Sequence, residues 1–258
     1  MTRETEEKLA ASLTAEETGL VPFLPYLLQD FWELGSNPAV MADLIAKHVK
    51  LTTDTRGLDL ASGKGAVSVR IARECGVRVK GIDLIPEFVA YAQQKAREFE
   101  VSELCEFAVG DINQAVEEER GYDCVVFGAV GAVLGGPAES LEKLAATVKP
   151  GGYILIDEGY LPESGAREDV KYSSYDFFRE GEWMAFFQEA GLELVETVPG
   201  VDEESDSGMA AIIARAGELM ELHPDKKAMF EGYVRSQQNE YDDLANSLVC
   251  VTWMLRKR

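Results

Sequence analysis

The sequence predicts an α/β fold, a doubly wound and mostly parallel sheet with helices on both faces. Short β-branched runs alternate with amphipathic segments from Gly57 onward, and each run ends on a turn signal. Five such runs fit into about a hundred residues, which is the density of repeated βα units.

The elements follow in order. Pro22 to Gly35 is dense in Phe23, Leu24, Tyr26, Leu27, Leu28, Phe31 and Trp32 and is expected to form a helical lid over residues 1–50. Asn37-Pro38 then starts a helix with Val40, Met41, Leu44 and Ile45 inward, because Asn caps and Pro suits the first turn. Strands are expected at Gly57–Leu60, Val77–Asp83, Glu106–Val109, Asp123–Phe127 and Tyr153–Asp157. Between them, Phe88, Tyr91, Ala92 and Phe99 recur at helical spacing, as do Leu141, Leu144, Ala145 and Val148. Lys149-Pro150-Gly151-Gly152 stops the second of these helices and turns into the fifth strand.

Beyond Tyr160 the pattern changes to an aromatic helix around Trp183, Phe186 and Phe187, then a strand at Leu192–Val198. The acidic stretch Val201–Gly208 reads as an exposed loop, and Met209–Asn246 as one or two helices interrupted near His223-Pro224. A last strand at Leu248–Leu255 brings the sheet to seven. The chain is expected to be a single domain over 1–258, with a core at 51–160 and a helical insertion at about 205–246.

Forty-six acidic against 25 basic side chains give a net charge of −21, a field that repels phosphate backbones and anionic surfaces. Nucleic acid and membrane are therefore not expected as partners. The terminal Arg256, Lys257 and Arg258 are too short a run for a binding face and are read as a solubilising tail. No stretch approaches the roughly 18 apolar residues of a membrane span, and Met1–Lys8 has no signal-like core behind it, so the expected location is cytoplasmic. Cys75, Cys105, Cys124 and Cys250 are widely spaced and only His48 and His223 could join them, so neither a metal site nor a disulfide framework is indicated. Cys124 and Cys250 read as small buried hydrophobes within strands, and both histidines as structural.

The chemistry concentrates at strand ends. Asp59-Leu60-Ala61-Ser62-Gly63-Lys64-Gly65 lies between a buried strand and a helical run, where small residues admit a ligand and the helix start offers amides to a carboxylate. Asp83 ends the next strand and could accept from two ribose hydroxyls. Val109-Gly110-Asp111-Ile112 follows the third strand, where a carboxylate can take an adenine amine while Ile112 covers the ring. Phe127-Gly128-Ala129-Val130-Gly131 leaves room beside a reacting group. Each acid also has a plainer reading: Asp83 and Asp111 could simply cap the segments that follow them.

Taken together and in this order, the glycine-rich turn, the ribose acid, the Gly-Asp-Ile segment and the Lys-Pro-Gly-Gly turn resemble class I, Rossmann-like, S-adenosylmethionine-dependent methyltransferases. The resemblance covers Gly57 to Glu158 and extends more loosely to small-molecule methyltransferases of bacteria and archaea. It implies a seven-stranded sheet with an antiparallel last strand, and S-adenosyl-L-methionine as cofactor with S-adenosyl-L-homocysteine as product. The implied cofactor contacts are Asp59, Ala61, Ser62, Gly63, Lys64, Gly65, Asp83, Leu84, Gly110, Asp111, Ile112, Gly128 and Ala129. One departure is Ala61, which stands where the family's first glycine would. Lys64 either pairs with the methionine carboxylate or points to solvent.

The acceptor side is read from position alone. Glu158 and Tyr160 are the expected catalytic or orienting groups, with Asp157 as a further candidate, and Tyr26, Gln29, Trp32 and Glu158 are expected to touch the substrate. In-line positioning supplies much of the rate of a methyl transfer, so no base is required. The expected partner is a small-molecule acceptor, neutral or cationic, and the expected assembly a monomer or homodimer. The alternatives are a silent cofactor-binding module and a nicotinamide-dependent oxidoreductase, the latter lacking its Gly-x-Gly-x-x-Gly here.

Overall fold

The computed structural model describes residues 2–172, 176–200 and 205–258, the side chains of 205–207 excepted. In chain order the described helices are α1 (Arg3–Ser12), α2 (Leu24–Leu27), α3 (Pro38–His48), α4 (Ala66–Cys75), α5 (Pro86–Glu98), α6 (Ile112–Glu118), α7 (Pro137–Thr147), α8 (Glu180–Glu189), α9 (Ser205–Leu222) and α10 (Lys227–Asn246). The strands are β1 (Arg56–Leu60), β2 (Arg78–Asp83), β3 (Cys105–Val109), β4 (Tyr122–Gly128), β5 (Val148–Tyr160), β6 (Leu192–Pro199) and β7 (Val249–Lys257).

All seven expected strands are present, in a sheet of order β3-β2-β1-β4-β5-β7-β6. β1 pairs in parallel with β2 and β4, β2 with β3 and β4 with β5, whereas β6 and β7 run antiparallel. The order reverses between β1 and β4, and in such sheets ligands bind outside the carboxyl ends of the strands at that point.

Three expectations are corrected. Lys149-Pro150-Gly151-Gly152 does not precede the fifth strand: β5 begins at Val148, and the register jumps from Tyr122↔Val148 to Cys124↔Tyr153, so the four residues form an irregularity within the strand. Of the expected acidic loop, 201–204 lie outside the described residues, and Ser205 onward is helix. The basic tail belongs to β7, where the Lys257 ammonium donates to the Ala145 and Val148 carbonyls (2.6 and 3.1 Å), groups that the end of α7 leaves open. A further helix, α1, carries no legible signal in the sequence, since its one fully buried residue is Ala10, too little apolar pattern to reveal it.

The chain divides into two compact units. The first comprises Met1–Phe31, Gly159–Glu180 and Gly200–Cys250. Its core joins Leu20, Leu24 and Leu27 to Ile212, Ala216 and Leu219 of α9 and to Phe230 and Tyr233 of α10. The helices α9 and α10 meet near His223-Pro224 as expected, with His223 edge-on to Phe23 at 5.2 Å.

The second unit comprises Trp32–Glu158, Gly181–Pro199 and Val251–Arg258. Here α3 starts as its sequence requires: the Asn37 carboxamide oxygen accepts from the Ala39 and Val40 amides (3.0 and 3.1 Å), a cap worth about 1 kcal/mol. Met41, Leu44 and Ile45 are buried as expected, while Val40 is only partly so. Each fully buried aliphatic chain of this kind contributes about 1.5–3 kcal/mol, so Ile45 alone matters to the whole unit. Trp183 and Phe187 of α8 pack on Trp253 of β7, with ring centroids 5.2 Å apart in both pairs. His48 is held by the Glu196 carboxylate, Cys124 is buried, and Cys250 is partly exposed.

Candidate functional site at the carboxyl ends of the central strands

Asp59 lies near the end of β1, 3% exposed, and its Oδ2 accepts from the Ser68 hydroxyl at 2.6 Å. The Ser68 amide also donates to this carboxyl, so Asp59 anchors the first turn of α4 from below. Burial away from water pushes its pKa up to about 7, the Ser68 hydrogen bonds opposing and the nearby Asp83 charge adding to the shift.

The chain then turns through Ala61 at φ +56°, a left-handed conformation that costs an L-residue about 1–2 kcal/mol. Gly65 opens α4 at φ +76°, and a Cβ there would lie 2.6 Å from Ala92 Cβ and 2.9 Å from Phe107 Cζ, so the loop is pressed onto α5 and β3. Asp83, 6% exposed at the end of β2, receives the Gly63 amide on Oδ2 (2.8 Å) and the Ile85 amide on Oδ1 (2.9 Å). It thereby ties the glycine loop to the start of α5. Its pKa is raised chiefly by burial, with these amides opposing.

Lys64 does not point to solvent. It is 4% exposed, and its ammonium sits over the rings of Tyr91 (5.1 Å) and Phe88 (5.5 Å). Its carbonyl accepts from the Trp32 indole N–H at 3.0 Å, while the Trp32 ring stacks on Phe99 at 5.1 Å. Trp32 thus begins a strap that crosses the loop. Farther along the strap, a Cβ added to Gly128 at the end of β4 would fall 2.1 Å from Ser36 Oγ, so the Ser36 side chain is seated directly on this glycine.

Between strap and loop lies a cleft lined by Trp32, Leu34, Ser36, Asp59, Ala61, Ser62, Gly63, Lys64, Ala66, Val67, Val126 and Gly128. Asp59, Ala61, Ser62, Gly63, Lys64 and Gly128 are the expected members of this lining. Leu34, Ser36, Ala66, Val67 and Val126 are additions; the Gly35-Ser36-Asn37-Pro38 turn signal marks a bend without telling what the bend will cover.

The remaining expected contacts stand off the cleft lining. Gly65 packs beneath it, and Leu84 and Ala129 do not border it. Asp111 caps α6, its Oδ1 accepting the Asn113 amide and carboxamide (2.9 and 3.0 Å), with Ile112 buried behind it. Gly110 donates its amide to the Asp83 carbonyl at 2.9 Å, which sets this segment beside the end of β2.

On β5 it is Asp157, the further candidate, that lies beside Gly128. Asp157 pairs in register with Gly128, accepts from the Thr252 hydroxyl, and faces Ser36 and the Asn37 amide. Burial raises its pKa, these hydrogen bonds opposing. Glu158, one residue on, points to the other face of the strand, as alternation requires. Tyr160 belongs to the first unit, its pKa raised by burial and then by Glu180. Tyr26 and Gln29 also belong to that unit: the Tyr26 hydroxyl donates to Glu218 beneath Arg215, and Gln29 is exposed. Sequence pattern does not separate Asp157 from Glu158, because only strand register decides which of two neighbours faces Gly128.

Residues 51–191 match a family model described as a methyltransferase domain. Over 202 residues the chain is 33% identical to the uncharacterised protein YjhP of Escherichia coli (strain K12), covering 76% of this chain and 79% of that one. A crystal structure of a SAM-dependent methyltransferase from Geobacter sulfurreducens, in complex with S-adenosyl-L-homocysteine, superposes with a TM-score of 0.75 at 26% identity over 92% of this chain and 98% of the other. The corresponding Thiobacillus denitrificans structure, also with S-adenosyl-L-homocysteine, gives 0.74 at 24% identity over 92% and 98% and speaks for the fold. The chain belongs to the methyltransferase domain family, with the Rossmann-like fold of class I, S-adenosylmethionine-dependent methyltransferases.

Proposed function

We propose that the protein transfers the methyl group of S-adenosyl-L-methionine to a small-molecule acceptor, releasing S-adenosyl-L-homocysteine. The observation that carries this reading is the cleft at the switch point of the sheet, lined by the β1 loop and the end of β4. Its residues fit the cofactor. The Ser62 hydroxyl is buried without a hydrogen-bond partner, and Ala66 and Val67 belong to a helix start, which leaves its first amides open to an anionic group.

In this reading Asp59, Ser62 and Gly63 hold the methionine end, with the α4 amides on its carboxylate. Asp83 keeps a lone pair beyond the Gly63, Leu84 and Ile85 amides it already accepts, open to a ribose hydroxyl. Asp111, Ile112, Gly110 and Leu84 are assigned to the adenine side. The cofactor supplies an electrophilic methyl on a sulfonium. The chain supplies position: small residues at Gly128 and Ala129 let an acceptor approach in line, and the strap from Trp32 to Ser36 keeps water from the cleft. Asp157, beside Gly128, is the group we assign to orienting the acceptor or receiving its proton, in preference to Glu158 and Tyr160.

The test is calorimetric titration with S-adenosyl-L-homocysteine and, separately, NADH, on the wild type and on Asp83→Ala. Binding of the first ligand alone, weakened about tenfold or more by the substitution, is expected from the loss of charge-assisted hydrogen bonds. Absence of S-adenosyl-L-homocysteine binding, or binding of NADH in its place, overturns the reading.

A further inference from the structure

The polar groups inside the first unit have no part in the cleft of the second. On α10, Phe230, Tyr233, Ser236, Glu240 and Asp243 recur every three or four residues and form its inward stripe, which changes from apolar to acidic along the helix. Asp243 has a clear structural role, since its Oδ2 accepts the backbone amides of Lys171 (2.8 Å) and Tyr172 (2.7 Å). Glu240 has no such role. It accepts one hydrogen bond, from the Thr14 hydroxyl at 2.5 Å, and the charge that reaches it most closely is the negative one of Asp243. Burial raises its pKa, Asp243 adds to the rise, and no basic group among the described residues is paired with it.

Two further observations converge on this carboxylate. The Tyr233 hydroxyl, on a side chain only 1% exposed, is buried without a hydrogen-bond partner and lies within electrostatic reach of Glu240. Leaving such a group unpaired costs about 1–3 kcal/mol. Thr14, 3% exposed, follows the end of α1 at φ +62°, a place where helices ordinarily put glycine or asparagine. A β-branched residue is a true outlier there. What threonine brings in return for the strain is the hydroxyl that orients Glu240.

We propose that Glu240, Tyr233 and Thr14 form a binding site for the protonated amine of a small molecule. An ammonium would supply the positive charge that Glu240 lacks, and the Tyr233 hydroxyl could accept from the amine or pair with a neighbouring polar group of the same molecule. Tyr233 and Glu240 stand two turns apart on one face, about 10 Å along the helix axis, which suits a compact molecule with polar groups at both ends. The net charge of −21 favours entry of cations.

Ligand-observed NMR titration with methylammonium and ethanolammonium, using methanol and ethylene glycol as uncharged controls, tests this on the intact chain. The wild type is expected to bind the ammonium ions and not the controls. Glu240→Gln, which keeps an acceptor for Thr14, should weaken that binding by about tenfold or more, and Tyr233→Phe by about threefold. S-adenosyl-L-homocysteine titrated into the same samples reports folding and separates the two readings. Cofactor affinity kept in both variants while ammonium affinity falls supports the site. Ammonium binding without cofactor binding keeps the site and sinks the methyltransferase reading. Equal binding of charged and uncharged probes, unchanged ammonium affinity in Glu240→Gln, or no ammonium binding by the wild type overturns the site.

Discussion

Ala61 and Thr14 both hold a left-handed backbone, at φ +56° and +62°, but their side chains face different surroundings. Ala61 turns β1 into the glycine loop, where the two flanking acids are already satisfied: Asp59 by Ser68, Asp83 by the Gly63 and Ile85 amides. Its methyl group makes no polar contact, and alanine serves there because it is small. Thr14 ends α1 with its hydroxyl on Glu240, a carboxylate that has little else. The same backbone strain is thus incidental to the side chain in the second unit and tied to it in the first. A strained residue becomes informative when its side chain does something a glycine could not.

The largest expected effect tests how costly the buried acid of the second unit is. The folded-state pKa of Asp59, about 7, lies above its ordinary value of 3.8, so the folded protein holds a proton that the unfolded chain has lost between these values. Stability from this group is full below about pH 4, falls as pH rises toward 7, and is level above; the whole loss is about 4 kcal/mol at 1.36 kcal/mol per pKa unit. Urea unfolding of Asp59→Asn should show a flatter dependence than the wild type between pH 4 and 7. Parallel curves for the two proteins would mean that Asp59 is ionised without cost.

Next in size is Gly65→Ala, which places a Cβ against Ala92 and Phe107 at φ +76°. Overpacking and strain together should cost about 3 kcal/mol, read as a fall in the urea midpoint with unchanged m-value. An unchanged midpoint would show that the loop is looser than its contacts suggest.

The smallest effects set Ala61 directly against Thr14. Ala61→Gly relieves about 1–2 kcal/mol of strain and loses about 0.4–1 through the freer unfolded chain, so it should stabilise by about 0.5 kcal/mol. Thr14→Gly relieves similar strain but also removes the hydroxyl from Glu240, so it should destabilise by about 1 kcal/mol. Opposite signs in thermal unfolding sustain the contrast between the two units; a stabilised Thr14→Gly would make the threonine incidental as well.

Much of the cofactor side is legible in the sequence because its signals are local. A strand followed by Asp59 to Gly65, an acid closing the next strand and a Gly-Asp-Ile segment each occupy a few consecutive residues, and the strands they belong to can be read within a few residues of their ends, β5 excepted. The cleft's other wall is not legible. Leu34 and Ser36 come to it from a segment more than twenty residues ahead of the loop, and no local pattern says where such a segment will lie. Asp157 and Glu158 differ only in the face of a strand, Lys64 in where a flexible chain finds an aromatic surface, and α1 in having one buried alanine to announce it.

The sequence by itself determined the class of fold, the strand order's repeating unit and the place where a ligand would meet the sheet, since hydrophobic period and turn chemistry act over neighbouring residues. Only the tertiary structure decided which side chains share a space: Trp32 on the Lys64 carbonyl, Ser36 against Gly128, Thr14 on Glu240. These pairings join residues 32, 92 and 226 positions apart, and each depends on the packing of whole elements, which no short stretch of sequence encodes.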